Sequence, residues 1–272
     1  MPRPIVTLMT DFGDADGFVG TMKGVMLRVA AEAGTDLELV DLAHHVAAGD
    51  VRHAALALAA AVEYFPRGTV HLVVVDPGVG TDRAAIAIAS PTGTFVGPDN
   101  GVLTLAAPGS PGRRVHRLES ARHRLEPVSH TFHGRDVFAP AAAHLACGVA
   151  LDTLGPPHVP IELALPAPRI SPERVAGEVV YVDRFGNLTT NIDRSLLATF
   201  CQGRVSVTIP GARIESLSQS YGAVPGGGRA ERPVALINSW GRLEIAWPGG
   251  SAAELLAAGC GTGVVLEPQT VI

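Results

Sequence analysis

The stretch IVTLMTD at residues 5–11, with the pattern that follows it, decides the fold. Ile5–Thr10 is a nearly continuous apolar run, which predicts a buried strand ending on Asp11. The next apolar residues recur 4, 3, 1 and 3 positions apart, which indicates one face of a helix with Asp14 or Asp16 as its expected cap. They are Phe18, Met22, Val25, Met26 and Val29. A second strand over residues 37–40 ends on Asp41, so the chain opens with a strand–helix–strand unit.

The same alternation continues through the first half of the chain. The expected elements are a helix over 51–64, a strand over 70–75 that ends on Asp76, strands over 84–89 and 94–96, and a helix over 134–147. Strands joined by helices of this length form parallel β-α-β units, so we expect residues 1–150 to be an α/β domain with a mainly parallel sheet. Ligands of such sheets bind beyond the carboxyl ends of the strands. Asp11, Asp41 and Asp76 therefore either cap the following helices or face a ligand, and the pattern leaves both options open.

The second half of the chain has a different texture. Residues 151–175 contain six prolines and no strand or helix period, which predicts a linker. Beyond it, short strand-like runs are separated by Gly-Asn, Pro-Gly and Gly-Gly turns, with one short helix near 252–258. We expect residues 176–272 to form a small all-β, barrel-like domain.

Composition excludes several classes of function. The 272 residues carry a net charge of -5, whereas non-specific binding to nucleic acid needs a basic face. The longest apolar run, over residues 54–62, is far shorter than the roughly 20 residues of a membrane span. No secretory leader is recognisable, so we expect a soluble cytoplasmic protein. Cys147, Cys201 and Cys260 are too few and too far apart for a disulfide framework, and we expect small buried side chains there.

Two segments could carry chemistry. The glycine-rich loop over residues 76–83 follows a strand but lacks the lysine of a phosphate-binding loop, and the acidic run after the first strand lacks the spacing of a calcium loop. His133 precedes a predicted helix, whose dipole keeps the imidazole neutral and able to accept a proton. A histidine that only packs or caps is the alternative. His44 and His45 follow the second strand, and the sequence assigns them no role.

Six motifs, in order along nearly the whole chain, resemble those of the S-adenosyl-L-methionine (SAM) hydroxide adenosyltransferases, or SAM hydrolases, which are relatives of the SAM-dependent fluorinases and chlorinases. The motifs are TDFG at 10–13, DPGVG at 76–80 with Arg83, GPDNG at 97–101, TFHGRD at 131–136 with FAP at 138–140, the polar run 183–191, and Asn238-Ser239 with Gly241. Several motifs in the right order are far more specific than any one of them.

The resemblance implies a fold, a site and an assembly. It implies an α/β domain, a β-barrel-like domain and a homotrimer whose active sites lie at subunit interfaces, with SAM as substrate, adenosine as product and no cofactor or metal. The catalytic residues that it implies are Asp76, Arg83 and His133. The substrate-binding residues that it implies are Asp11, Asp183, Asn187, Ser239 and Glu244. The chain has few aromatic rings to stack on adenine, and we expect Phe185, Tyr221 and Trp240 or Trp247 to do so.

The residue types suit hydrolysis. Methionine leaves the sulfonium of SAM as a neutral thioether, so only the attacking water needs help. Aspartate and neutral histidine can take its proton, and arginine can stabilise developing hydroxide. The alternatives are a SAM-dependent halogenase, which an ionised Asp76 disfavours, and a module that senses SAM or adenosine. A metal-dependent phosphohydrolase using Asp11, Asp41 and Asp76 is a further one.

Overall fold

The computed structural model describes residues 3–200, 204–222 and 232–269, and the chain divides into two compact units, residues 1–163 and 164–272. This division falls inside the proline-rich segment 151–175. The expectation for Cys201 lies outside the described residues. No helix in the described ranges is both long enough and apolar enough to cross a membrane.

The first unit is an α/β fold around one six-stranded sheet. Its strands are β1 (Ile5–Thr10), β2 (Glu38–Ala43), β3 (Val70–Val74), β4 (Ala85–Ser90), β5 (Gly93–Pro98) and β6 (Arg114–Arg117). Its helices are α1 (Phe18–Glu32), α2 (Val51–Ala61) and α3 (Ala139–Ala146), with one π-helical turn at Gly134–Phe138 and 3-10 turns at Val62–Tyr64, Ala121–His123 and Leu151–Leu154.

The strand order of this sheet is β2-β1-β3-β5-β4-β6. The first four strands run parallel, and β4 and β6 are antiparallel additions at one edge. One apolar cluster packs α1 and α3 on one face, and a second cluster packs α2 against strands β3, β4 and β5. The predicted α/β class is confirmed. The parallel strands bring the segments after β1, β2 and β3 to one edge.

Two local expectations are wrong. Helix α1 begins after Gly17, whose backbone is in the left-handed conformation. Neither Asp14 nor Asp16 caps the helix with its side chain. Cys260 is exposed and Cys147 is half-buried, so neither is a fully buried side chain.

The second unit is antiparallel and barrel-like, as predicted. Its strands are β7 (Arg169–Ile170), β8 (Val175–Val182), β9 (Leu188–Asp193), β10 (Val205–Ile209), β11 (Ala212–Ile214), β12 (Val234–Ile237), β13 (Arg242–Ala246) and β14 (Gly263–Pro268). Two short helices, α4 (Arg194–Phe200) and α5 (Ala252–Leu255), accompany them. The strand order is β11-β10-β14-β8-β9-β13-β12, with β7 beside β8. Leu217, just after β11, bridges to Ala235 in β12, so the two ends of the sheet nearly meet.

Candidate functional site

The loop that follows β3 carries a buried carboxylate. The amide of Asn100 donates to the Val75 carbonyl at 2.9 Å, which fixes the chain just before Asp76. The Asp76 side chain is only 4% exposed. A carboxylate at this depth needs charged or hydrogen-bonding partners, because its desolvation is costly.

Arg83 supplies those partners. Its Nε donates to Asp76 Oδ1 at 2.8 Å and its Nη2 donates to Asp76 Oδ2 at 2.5 Å, which is the bidentate geometry that arginine favours with carboxylates. The guanidinium lies 5.1 Å from the ring centre of Phe138 and its side chain is 11% exposed. The pair is therefore rigid and shielded from solvent.

Two glycines allow this loop to fold back on itself. A Cβ at Gly78 would lie 3.0 Å from Arg83 Cγ, within the path of that side chain. Gly80 has a φ of 78°, and a Cβ there would lie 2.5 Å from the carbonyl oxygen of His130. This run lacks the lysine of a phosphate-binding loop, so its glycines need another explanation. In the structure these two glycines make room for the arginine and for the neighbouring loop.

His133 completes the cluster, and its bond to Arg83 determines its tautomer. Arg83 Nη2 lies 2.7 Å from His133 Nδ1. Arginine has donors and no acceptor, so Nδ1 must accept, and the proton of the neutral ring sits on Nε2. Burial and the charge of Arg83 lower the pKa of His133, against the opposing effects of Asp76 and Asp136.

This geometry changes the role expected for His133. The predicted neutral ring agrees with the direction of its pKa, and His133 does lie at the N-terminus of the π-helical turn. However, Nδ1 is occupied and Nε2 already carries a hydrogen. The neutral ring therefore presents a donor, not the proton acceptor that we expected from the sequence.

Asp136 supports the loop beside the cluster from within the π-helical turn, a role that we did not predict from the sequence. Asp136 is 2% exposed. Its carboxylate accepts hydrogen bonds from the Arg135 guanidinium at 2.6 and 2.9 Å and from the Ser129 backbone N–H at 2.9 Å. These bonds fix the loop that approaches Gly80. The only sequence clue is an aspartate inside an otherwise apolar helix start.

The other two carboxylates predicted at strand ends have separate partners. Asp11 follows β1, whereas β2 continues to Ala43 and does not end on Asp41 as expected. Asp11 Oδ2 accepts the backbone N–H of Gly49 at 2.8 Å. Asp41 lies 2.6 Å from the Lys23 ammonium and 2.9 Å from His44 Nε2. Burial alone would raise the pKa of Asp41, but the bonds from Lys23 and His44 outweigh it and lower that pKa.

These contacts argue against a shared metal site at the strand ends. Asp41 and Asp76 are each neutralised by a cation of the protein and so are poor candidates for holding a metal together with Asp11. Across the described ranges, no three His, Cys, Asp or Glu side chains are grouped as metal ligands would be. The phosphohydrolase hypothesis therefore has no geometric support. None of the three carboxylates caps a described helix: α1 has no side-chain cap and Asp50 caps α2.

The second unit contains an open cavity of about 590 Å³. Its lining combines aromatic rings, two polar side chains and small backbone positions: Asp183, Phe185, Asn187, Tyr221, Trp247, Pro248, Gly249 and Gly250. Three of the four rings that we expected to stack on adenine line this cavity. The fourth, Trp240, instead packs edge-on against Tyr181 at 4.7 Å between ring centres.

Asp183 organises one wall of the cavity. Its Oδ1 accepts the backbone N–H groups of Phe185 and Asn187 at 2.8 and 2.9 Å, and its Oδ2 accepts the side-chain amide of Asn187 at 2.8 Å. The side-chain Oδ1 of Asn187 is thereby turned away from the Asp183 carboxylate. Phe185 remains 67% exposed on the same turn, so its ring is available to a flat ligand.

Glu244 is buried behind the cavity. It is 4% exposed, and its Oε2 accepts from Thr189 at 3.1 Å and from Asn238 at 2.9 Å. Its Oε1 accepts from the Tyr221 hydroxyl at 2.8 Å, and burial together with this carboxylate raises the pKa of Tyr221. Ser239 is exposed on the turn after β12. Glu244 thus meets three internal donors and holds the Tyr221 ring at the cavity wall.

Comparison with known proteins gives a consistent result. The model of the SAM hydroxide adenosyltransferase N-terminal domain matches residues 6–155, and that of the C-terminal domain matches residues 177–265. The chain is 44% identical to an (R)-S-adenosyl-L-methionine hydrolase from Thermus thermophilus, covering 93% of this chain and 95% of the relative. It is 41% identical to one from Salinispora tropica, covering 94% of each, and 29% identical to a fluorinase from Nocardia brasiliensis, covering 90% of each.

Solved structures agree on the fold. The crystal structure of an uncharacterised conserved protein from Thermotoga maritima matches with a TM-score of 0.86 and 34% identity, over 97% of this chain and all of that one. Family models cover most of both units, and the described residues place an Asp–Arg–His cluster and an aromatic cavity on their matched segments. The chain belongs to the SAM hydroxide adenosyltransferase family.

Proposed function

We propose that the protein hydrolyses SAM to adenosine and L-methionine by attack of water at C5′. The observation that carries the proposal is the buried cluster in which one Arg83 nitrogen bonds both Asp76 and His133. Membership of the family supports it, as does the higher identity to hydrolases than to fluorinases.

The cluster suits a reaction in which only the nucleophile needs activation. The sulfonium of SAM takes the electron pair of the broken C–S bond and leaves as a neutral thioether, while water forms the new C–O bond and loses one proton. His133 Nε2–H donates to the water oxygen and orients one of its lone pairs. The Asp76 carboxylate accepts the proton, and the fixed charge of Arg83 favours the hydroxide-like transition state.

We propose that the remaining family positions hold the substrate. Asp11, anchored by Gly49, binds the ribose hydroxyls. Asp183 and Asn187 line the cavity together with aromatic side chains, and this combination suits adenine and its neighbouring polar groups. Ser239, exposed on its turn, is available to the methionine end, and Glu244 contributes through Tyr221.

The test is turnover with a matched pair of variants. The purified protein is incubated with SAM, and adenosine and methionine are followed by chromatography, with fluoride or chloride added in parallel. We expect adenosine and no halogenated nucleoside, because a halide needs hydrogen-bond donors and the Asp76 carboxylate offers only acceptors. Asp76→Ala should abolish turnover but still bind adenosine, whereas Asp82→Ala, at an exposed acid in the same loop, should keep wild-type turnover.

Absence of adenosine in every buffer would refute the enzyme proposal. Repeated turnover would exclude the sensor alternative, which requires that product stay bound. We also propose that no cofactor or metal takes part, so that a chelator leaves the rate unchanged, and that the protein acts in the cytoplasm.

We propose further that the protein is a homotrimer whose active sites join the first unit of one subunit to the second unit of its neighbour. A cyclic trimer uses the same head-to-tail interface three times. Subunits of Asp76→Ala and Asn187→Ala are each expected to be inactive. Co-expressed in equal amounts, they should regain activity at about a quarter of the sites, because such a site can draw both intact halves from different chains. Light scattering gives the subunit number, and no regain of activity would contradict shared sites.

A further inference from the structure

Lys23 is the only lysine of the chain, against twenty arginines. Lys23 lies in α1, and its ammonium is 2.6 Å from Oδ2 of Asp41, which lies within β2. Lysine is a compact point charge while arginine is a planar fork, so the two do not replace each other where one short contact is made.

This ion pair is the outer end of a chain of contacts. Asp41 Oδ1 lies 2.9 Å from His44 Nε2, a close polar contact without the alignment of a full hydrogen bond. His44 Nδ1 lies 3.0 Å from the Thr10 hydroxyl, which is completely buried. The Thr10 oxygen in turn accepts the Phe12 backbone N–H at 3.3 Å.

The direction of the donors is consistent along this chain. The Asp41 carboxylate can only accept, so a neutral His44 ring faces it with an N–H and leaves Nδ1 to accept from the Thr10 hydroxyl, whose oxygen accepts from Phe12. His44 then carries its ring hydrogen on Nε2, facing the Asp41 carboxylate. The His44 carbonyl also accepts the Gly13 backbone N–H at 2.7 Å. The contacts from Thr10 and His44 therefore hold the turn at residues 11–13 from two sides.

The turn held in this way carries Asp11. The carboxylate of Asp11 has its own anchor at Gly49, but its backbone is positioned by Thr10 and His44. The pairing of β1 with β2 also shifts register between Leu8 and Met9, just before this turn. Such irregularities re-aim side chains beside functional sites.

We propose that Lys23, Asp41 and His44 are positioning residues that hold the turn at residues 11–13 so that the Asp11 carboxylate meets the ribose of the nucleoside. The inference rests on the proposed function, because it assigns the ligand of Asp11. Supporting contacts of this kind fix the orientation of a group that touches the ligand without touching it themselves.

The experiment measures adenosine affinity by calorimetry, together with kcat and KM for SAM. Lys23→Met should weaken adenosine binding about tenfold and raise KM in parallel, while kcat changes little because the Asp76 cluster is not touched. If Lys23→Met folds poorly, Asp41→Asn, which keeps the shape but removes the charge, should weaken adenosine binding to a similar degree. Lys23→Arg, which keeps the charge but not the single short contact, should weaken it as well. The control is Arg124→Met, which removes an ion pair of similar exposure and length to Glu126 and should leave affinity unchanged.

A double-mutant cycle separates positioning from general loss of stability. In an Asp11→Asn background, Lys23→Met should have almost no further effect on adenosine affinity, because the residue through which it acts is already altered. Equal effects in both backgrounds, or an unchanged affinity in Lys23→Met, would overturn the inference. Wild-type release of adenosine from SAM is measured in the same series, so a failure of the proposed function is recognised separately.

Discussion

Replacing His133 by glutamine or by asparagine separates the two roles that a histidine could play in this cluster. The glutamine amide nitrogen reaches the place of Nε2, whereas the asparagine side chain reaches only the place of Nδ1. Arg83 Nη2 lies 2.7 Å from Nδ1 and also bonds Asp76, so the guanidinium keeps a partner in either variant. If His133 serves as an Nε2–H donor, glutamine preserves that donor and asparagine removes it.

The size of the effect follows from one hydrogen bond. A bond to a charged group contributes about 1.5–3 kcal/mol, which corresponds to roughly a 10- to 150-fold change in rate. We expect His133→Asn to lose kcat within that range and His133→Gln to lose less than about tenfold. Loss of a general base instead lowers the rate by about 10² to 10⁴ in both variants alike.

The assay is kcat for adenosine release at saturating SAM, with adenosine affinity as a check on folding. The pH profile adds an independent readout. The wild-type rate should be level above neutrality and fall in acid, with a midpoint below the ordinary value of 6.5, because the pKa of His133 is lowered and its protonated ring would point a second hydrogen at Arg83. Equal and large losses in His133→Gln and His133→Asn would refute the donor role.

Three further predictions concern the same unit. Arg83→Lys keeps the charge but loses the two-pronged contact with Asp76, so kcat should fall by about 10² to 10³ while a folded protein persists in circular dichroism. Gly80→Ala should lower the free energy of unfolding by at least about 1–2 kcal/mol and reduce turnover, since φ is 78° and the new Cβ would meet the His130 carbonyl. Denaturant titration measures the free energy of unfolding, and an unchanged value would contradict the close approach. Burial lowers the pKa of His71 from 6.5 to about 4, so the folded state disfavours the charged imidazole. The free energy of unfolding should therefore decline by about 3 kcal/mol as pH falls from 6.5 to about 4. His71→Phe should make the free energy of unfolding less dependent on pH, and the same pH dependence in variant and wild type would contradict the prediction.

The apolar pattern predicted β1 and β3 because these central strands are buried on both faces, whereas β2 at the edge of the sheet is not. Ile5–Thr10 and the helical face after it need no partner to be recognised, since buried parallel strands are continuously apolar. The cap of α1 could not be predicted in this way. Its start is set by the left-handed Gly17, although two aspartates nearby offered the usual capping side chain.

Strand β9 could not be predicted from the apolar pattern because it contains three consecutive polar residues. Thr189, Thr190 and Asn191 are buried, yet they read as a break in a strand. The Thr190 hydroxyl donates to the Leu243 carbonyl at 2.9 Å and the Asn191 amide donates to the Pro166 carbonyl at 2.7 Å. Their partners lie far away in sequence, so no local pattern could show that these groups are satisfied.

The candidate site shows the same limit. Motif order pointed to Asp76, Arg83 and His133, and the structure places their side chains in contact. The tautomer of His133 depends on a nitrogen contributed from fifty positions earlier in the chain. A residue type alone therefore could not distinguish a base from a donor.

The single lysine offers a natural site for an NMR label close to the candidate site. Reductive methylation with ¹³C-formaldehyde keeps the charge of an ammonium group, and here it would label one side chain besides the chain terminus. The resulting NMR spectrum would contain a single lysine signal, located beside Asp41. Changes in that signal during titration with adenosine would report events at the carboxyl edge of the first sheet, with no engineered probe and no assignment of the remaining residues.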